Sequence, residues 1–155
     1  MTQEIVIKPL SLVERSEALA LVWRIFMAFE APEYTEEGIE EFSRSLHDEE
    51  YLATLCLYGA FVAEGLVGVI ASRSAGTHIA LFFVDGAYQG QGIGRRLLET
   101  LLKDCPADTI TVNASPYAVP IYHHLGFCDI DEEQSVNGLR FVPMARKVGN
   151  TGHDV

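Results

Sequence analysis

The stretch that most constrains this chain runs from Leu81 to Arg96. An apolar run, Leu81-Phe82-Phe83-Val84, leads into glycines at alternate positions, Gly90, Gly92 and Gly94. An amphipathic pattern leaves it, with Ile93, Leu97, Leu98, Leu101 and Leu102 on one helical stripe. Glycines so close to a helix start cost conformational entropy, which is offset when something must approach the backbone. Without side chains in the way, successive N–H groups can point into one concavity, and the helix N-terminus adds unpaired donors and a partial positive charge. Strand, glycine loop and helix together form a cradle for a polyanion, usually phosphate, and Arg95 and Arg96 lie close enough to reinforce it. A dinucleotide fingerprint would need a third glycine where Arg95 stands, and a nucleotide P-loop would need a lysine followed by Ser or Thr, which Arg95-Arg96 does not supply. What the segment does carry is Gln-x-x-Gly-x-Gly, as Gln89, Gly92 and Gly94. The bland alternative is a tight turn that packs a helix on a strand.

Around this segment the periodicity is mixed. Gln3–Pro9 alternates as a strand. Ser11 with Glu14 forms a capping box for a helix carrying Leu12, Leu19, Val22, Trp23 and Phe26, which stops near Ala31-Pro32. Thr35 starts a short helix through Ile39, Phe42 and Leu46, with Gly38 inside it, and Asp48–Leu57 is ambiguous between a further helical turn or two and a strand, with the helical reading favoured. Gly59–Glu64, Leu66–Ser74 and His78–Val84 form an antiparallel meander. After the glycine loop and its helix, which Pro106 ends, come a β-rich run Thr109–Asn113 and a short helix Ala118–Leu125. A hairpin of Cys128–Val136 and Leu139–Lys147 follows, turned by Asn137-Gly138. Hairpins plus two helical crossovers predict an α/β (α+β) fold with a mixed, mostly antiparallel sheet and helices on both faces. One domain is expected over residues 1–148, with a flexible tail over 149–155.

The 155 residues carry a formal net charge of −11, which argues against a nucleic-acid-binding face. The acidity serves solubility first, and second a field that would draw in a cationic substrate such as an amine. Cys56, Cys105 and Cys128 fit neither a disulfide framework nor a zinc knuckle, so no metal is expected. No apolar run is long enough for a bilayer span and no secretory signal is visible, so a cytoplasmic protein without a membrane partner is expected.

A second block, Val112-Asn113-Ala114-Ser115-Pro116-Tyr117-Ala118-Val119-Pro120-Ile121-Tyr122-His123-His124-Leu125-Gly126-Phe127, follows at a characteristic distance. With the Gln-x-x-Gly-x-Gly loop it resembles the GNAT superfamily of acyl-CoA-dependent N-acyltransferases, whose second conserved block has a Tyr-x-x-x-Gly-Phe pattern. The agreement of element order covers nearly the whole chain. One departure is Gly86, where family members often carry proline.

The resemblance implies acetyl-CoA as acyl donor and an amine of a small molecule or peptide as acceptor. It implies a splay between the fourth strand, His78–Val84, and the fifth, Thr109–Asn113, with the pantetheine arm lying in the gap. Val84 and Asn113 would contact that arm, and Gln89, Gly90, Gln91, Gly92, Gly94 and Arg95 would cradle the pyrophosphate. Tyr122 would protonate the departing sulfur. Glu30 and Glu33, between the first two helices, border the expected acceptor site. The general base stays open among Glu30, Glu33, Glu64, His78, His123, His124 and a water chain. A homodimer is possible, as in many family members. The alternative function is a catalytically silent acyl-CoA-binding or sensing module.

Overall fold

The computed structural model describes residues 4–149. Gln3 of the expected first strand, and residues 150–155 of the expected tail, lie outside the described residues. Eight strands form one sheet: β1 (Val6–Pro9), β2 (Cys56–Val62), β3 (Gly65–Arg73), β4 (His78–Val84), β5 (Thr109–Ala114), β6 (Cys128–Asp129), β7 (Gln134–Val136) and β8 (Leu139–Lys147). Their spatial order is β1-β2-β3-β4-β5-β8-β6, with β7 also paired to β8. All pairings are antiparallel except that of β4 with β5. The mixed sheet expected from the sequence is therefore present.

Two apolar clusters cover its faces. On one face lie α1 (Leu12–Ile25) and α2 (Glu36–Ser45), with α3 (Glu49–Ala53) beside them. Ala18, Leu21, Val22, Ile25 and Phe26 pack there on Leu66, Val69, Ala71, Leu81 and Phe83. On the other face α4 (Ile93–Lys103) and α5 (Val119–His124) bury Ile93, Leu97, Leu98, Leu101 and Tyr122 against Val67, Ile70, Ile79 and Ile110. The α4 stripe is buried as its periodicity required. The α1 stripe is buried only from Ala18 onward, since Leu12 is 82% exposed. No helix among the described residues is long and apolar enough to cross a membrane.

The expected caps form. Ser11 Oγ accepts from the Glu14 N–H at 3.3 Å, Glu14 Oε1 accepts from the Ser11 N–H at 3.0 Å, and Thr35 Oγ1 accepts from the Gly38 N–H at 3.2 Å. Two stretches differ from the periodicity. Asp48–Leu57 divides into a helical turn capped by Asp48 and the start of β2, because Cys56 already pairs with Ser72. The expected strand Cys128–Val136 breaks into β6 and β7. The Ile130 N–H donates to Pro143 O at 2.9 Å, but proline has no N–H to return the bond, and the ladder lapses there. Asn137 and Gly138, both at positive φ, turn the hairpin into β8.

Candidate active site

The site grows from the place where β4 and β5 part. Among the described residues they pair only at His78↔Thr111 and Ile79↔Val112, and β4 then runs on to Val84 without a strand partner on that side. The direction of its free groups follows from β3. The Asp85 N–H donates to Val67 O at 2.8 Å, so Asp85 faces β3. Backbone groups of successive strand residues alternate, so the N–H and C=O of Val84 face the gap. Gln89 Nε2 donates to that carbonyl at 3.1 Å, which ties the glycine loop to the strand end and leaves the Val84 N–H toward the gap.

The loop has the open backbone that its glycines imply. Gly90 and Gly92 adopt φ of +82° and +81°, and a Cβ at either would meet nothing within 4 Å. Gly92 caps α4 in the left-handed conformation with no side-chain acceptor on the first turn, so its leading N–H groups point outward. A cavity of about 390 Å³ opens here, lined by Val84, Gln89, Gly90, Gly92, Gly94 and Arg95 at one end and Tyr117, Ile121 and Tyr122 at the other. Concave backbone and a cation beside an apolar slot fit a pyrophosphate with an apolar-walled arm. Gln91 is exposed and does not line the cavity.

Gly86 is explained by its neighbour. A Cβ there would stand 3.0 Å from Cζ of Phe29, whose ring stacks on Tyr117 at 5.5 Å. A proline at this position would displace that pair.

The second block delivers Tyr122 to the gap. Gly126 reverses the chain at φ +96°, and the Phe127 N–H returns to Tyr122 O at 2.9 Å. The Tyr122 ring is then held edge-on between Phe127 at 5.2 Å and Phe82 of β4 at 5.9 Å. Its hydroxyl makes no hydrogen bond among the described residues, while its ring is 6% exposed. Burial, and secondarily the charge of Glu30, raise the phenol well above its ordinary value, so it stays protonated.

Glu30 reaches the same place from the other face of the sheet. Helix α1 continues as a wider turn over Phe26–Glu30, in which the Ala31 N–H donates to Phe26 O, five residues back. Pro32 cannot continue a normal helix, and the widened turn before it is a form common at functional sites. Desolvation raises the Glu30 carboxyl to about 7; the Ser115 hydroxyl opposes the rise and Glu33 adds to it. Glu33 is exposed, and its backbone carbonyl accepts from Arg140 at 3.4 Å.

A second cavity, of about 500 Å³, lies under α2 and the β7–β8 hairpin. Both cavities are lined by Glu30, Phe82, Phe83, Ala118 and Tyr122, so these residues form their common wall. Asn113 lines this second cavity rather than the glycine-loop one, which separates it from the other residues expected to hold a cofactor. Of the other candidate bases, His123 is exposed and pairs with Asp129 at 2.6 Å, while His78, driven down to about 4 mainly by burial, bonds Thr111. The Ser115, Phe29 and Phe82 contacts carry no sequence signal, because they arise only when distant elements meet.

Comparison with known proteins decides the family. A family model described as an acetyltransferase (GNAT) domain matches residues 30–148. The chain belongs to the GNAT acetyltransferase family. It is 37% identical over 60 residues to an uncharacterized N-acetyltransferase, ycf52, of Gracilaria tenuistipitata var. liui, a match spanning 37% of this chain and 32% of that one. Its fold is similar to the GCN5-related N-acetyltransferase from Rhodopseudomonas palustris, with a TM-score of 0.79 and 22% identity over 95% of this chain and 98% of that one. It is also similar to the PaiA N-acetyltransferase from Thermoplasma acidophilum, solved in complex with coenzyme A, with a TM-score of 0.74 and 21% identity over 93% and 99% of the two chains. These two likenesses concern the fold. This member of the GNAT acetyltransferase family thus carries two cavities meeting at Glu30 and Tyr122.

Proposed function

We propose that this enzyme transfers an acetyl group from acetyl-CoA to an amine, with the donor in the glycine-loop cavity and the acceptor in the cavity under α2. The observation that carries the reading is the common wall: a carboxyl raised to about 7 and a protonated phenol both face the point where the two cavities adjoin.

Acetyl-CoA, when bound, supplies the acyl group as a thioester. The chain's residues do the rest. Backbone N–H groups of Gly90, Gly92, Gly94 and Arg95 hold the pyrophosphate, and the Val84 N–H serves the carbonyl oxygen as charge builds on it. An alkyl ammonium titrates near ~10.4, so the acceptor arrives protonated and a base must take its proton. Glu30 is suited to this, because a base with a pKa near the working pH is both largely ionised and basic enough to accept. Tyr122 keeps its proton until the C–S bond breaks, donates it to the leaving thiolate and regains one from the nitrogen that the amine's attack leaves charged, while the proton taken by Glu30 passes to solvent. Phe82 and Phe127 fix the ring, which limits the reorganisation needed.

The test is a thiol-release assay with acetyl-CoA against a panel of small-molecule and peptide amines, run alongside calorimetry with acetyl-CoA. Release that depends on an amine supports transfer. Tight binding of acetyl-CoA with no acceptor turned over would make the protein a binding or sensing module instead.

A further inference from the structure

The acceptor cavity carries an arginine that the reaction does not use. Arg73, at the end of β3, lines the wall far from the cavity junction. Its Nε is fully buried without a hydrogen-bond partner, and no carboxylate among the described residues lies within ion-pair distance of it. The other arginines on this wall are engaged. Arg44 pairs with Glu41 at 2.6 Å, and Arg140 grips Glu133 at 2.9 and 3.3 Å. Asp48 also lines the wall, but its carboxylate caps α3, accepting from the Tyr51 N–H at 3.1 Å. His78, which pairs with Arg73 across the strands, is neutral at working pH, its value held near 4 by burial and by Arg73 itself. One end of the cavity thus holds an unopposed guanidinium, and the other holds Glu30.

The wall also carries an aromatic and apolar group, Phe26, Phe42, Leu81 and Phe83, beside polar residues such as Ser45 and Asn113. From His78, opposite Arg73, to Phe83 at the junction, β4 advances five residues, roughly 16 Å of strand. From these features we infer that the acceptor is an amine with an apolar body and a carboxylate at its far end, and that Arg73 binds the carboxylate while the amine lies at Glu30. This rests on the amine-acetylation reading above. A planar guanidinium matches a carboxylate in shape, and a single arginine balances a single negative charge. Beside Asp48 and in a chain of net charge −11, a doubly charged phosphate fits less well. An extended chain advances up to ~3.6 Å per residue, so a peptide of about four to five residues, presenting its N-terminal amine to Glu30, has the right reach.

The test compares the pentapeptide Gly-Phe-Ala-Phe-Ala carrying a free C-terminus with its C-terminal amide, in wild type and in Arg73→Met, which keeps an apolar stem of similar length. The acid should be preferred by at least about tenfold in kcat/KM, through KM rather than kcat, as loss of one charge-assisted contact implies. In Arg73→Met the preference should fall to near unity, while the amide reacts within about threefold of its wild-type rate and acetyl-CoA affinity is kept. Equal use of acid and amide by wild type would overturn the inference, and needs no variant to be seen. A preference that survives in Arg73→Met would overturn it as well. If neither peptide is turned over, calorimetry with N-acetylated Gly-Phe-Ala-Phe-Ala and its amide, in the presence of CoA, separates the two claims. Tighter, Arg73-dependent binding of the acid keeps the carboxylate site and removes the transfer reading; equal binding removes the carboxylate site.

Discussion

Gly38 and Gly138 meet backbone to backbone: a Cβ on Gly38 would stand 2.3 Å from the carbonyl oxygen of Gly138. The contact seats the tip of the β7–β8 hairpin on the first turn of α2, where Thr35 caps the helix. That hairpin supplies Val136, Asn137, Leu139 and Arg140 to the cavity under α2, so two glycines set the position of its roof. In the sequence Gly38 is a helix residue of poor propensity; in the structure it is the residue that lets the hairpin dock.

Gly38→Ala should therefore cost stability although alanine is the better helix former. The new methyl meets backbone, which cannot swing aside, and overpacking of this kind costs about 1–3 kcal/mol. For a domain of this size that lowers Tm by roughly 3–10 °C. Acceptor KM should rise while acetyl-CoA affinity holds, since the glycine loop lies elsewhere. Differential scanning calorimetry and steady-state kinetics check both.

Gly92→Val tests the pyrophosphate cradle. A Cβ at Gly92 meets nothing within 4 Å, but the left-handed φ of +81° strains any L residue, and a branched one most. The side chain would also stand where N–H groups must face the ligand. Affinity for acetyl-CoA should fall at least tenfold by calorimetry, with circular dichroism unchanged. Unchanged affinity in a folded variant removes the loop from the donor site.

Much of this architecture was legible because local chemistry and tertiary packing agree. The Ser11–Glu14 box, the α4 stripe and the Asn137-Gly138 turn are decided within a few residues, and all are present. The second block was legible as a pattern, and the structure supplies its cause, since Gly126 turns Phe127 back onto the Tyr122 ring. What was not legible depends on partners distant in sequence. Cys56 is a strand residue because Ser72 lies opposite it, and the β6–β7 break is set by Pro143 on β8. Glu30 is one carboxylate among several in the sequence, and a widened helical turn carries it to the wall it shares with Tyr122. Asn113, which the resemblance assigns to the donor arm, lines the cavity under α2 together with Val112 and Ala114, because β5 borders the gap with both of its faces.

Tyr122→Phe keeps the ring contacts with Phe82 and Phe127 and removes a hydroxyl that has no hydrogen-bond partner among the described residues. Stability and acetyl-CoA affinity should change little. The value of kcat should fall by roughly 10²–10⁴, the usual contribution of one positioned proton donor. Steady-state kinetics with acetyl-CoA binding measured in parallel decides between roles. Full activity makes Tyr122 a core residue, and lost affinity with normal kcat makes it a binding residue.

Glu30 gives the sharpest pH signature. Its carboxyl, raised from an ordinary 4.5 to about 7 chiefly by desolvation, holds more proton in the folded state than in the unfolded one between those values. Stability from this group is therefore fully present below about 4.5 and declines as pH rises toward 7, where ionisation of a desolvated carboxyl costs most. Activity should move the opposite way: kcat/KM for an amine should climb with an apparent pKa near 7 as the carboxylate forms. Glu30→Gln removes both slopes at once. It should lower kcat/KM at pH 8 by roughly 10²-fold or more, flatten the ascending limb, and leave the variant at least as stable as wild type above pH 7. Paired pH profiles of kcat/KM and Tm for the two proteins are the measurement. If the limb near 7 persists in Glu30→Gln, the proton is taken by another group; if only the Tm slope vanishes, Glu30 is a buried acid that shapes the wall without serving as base.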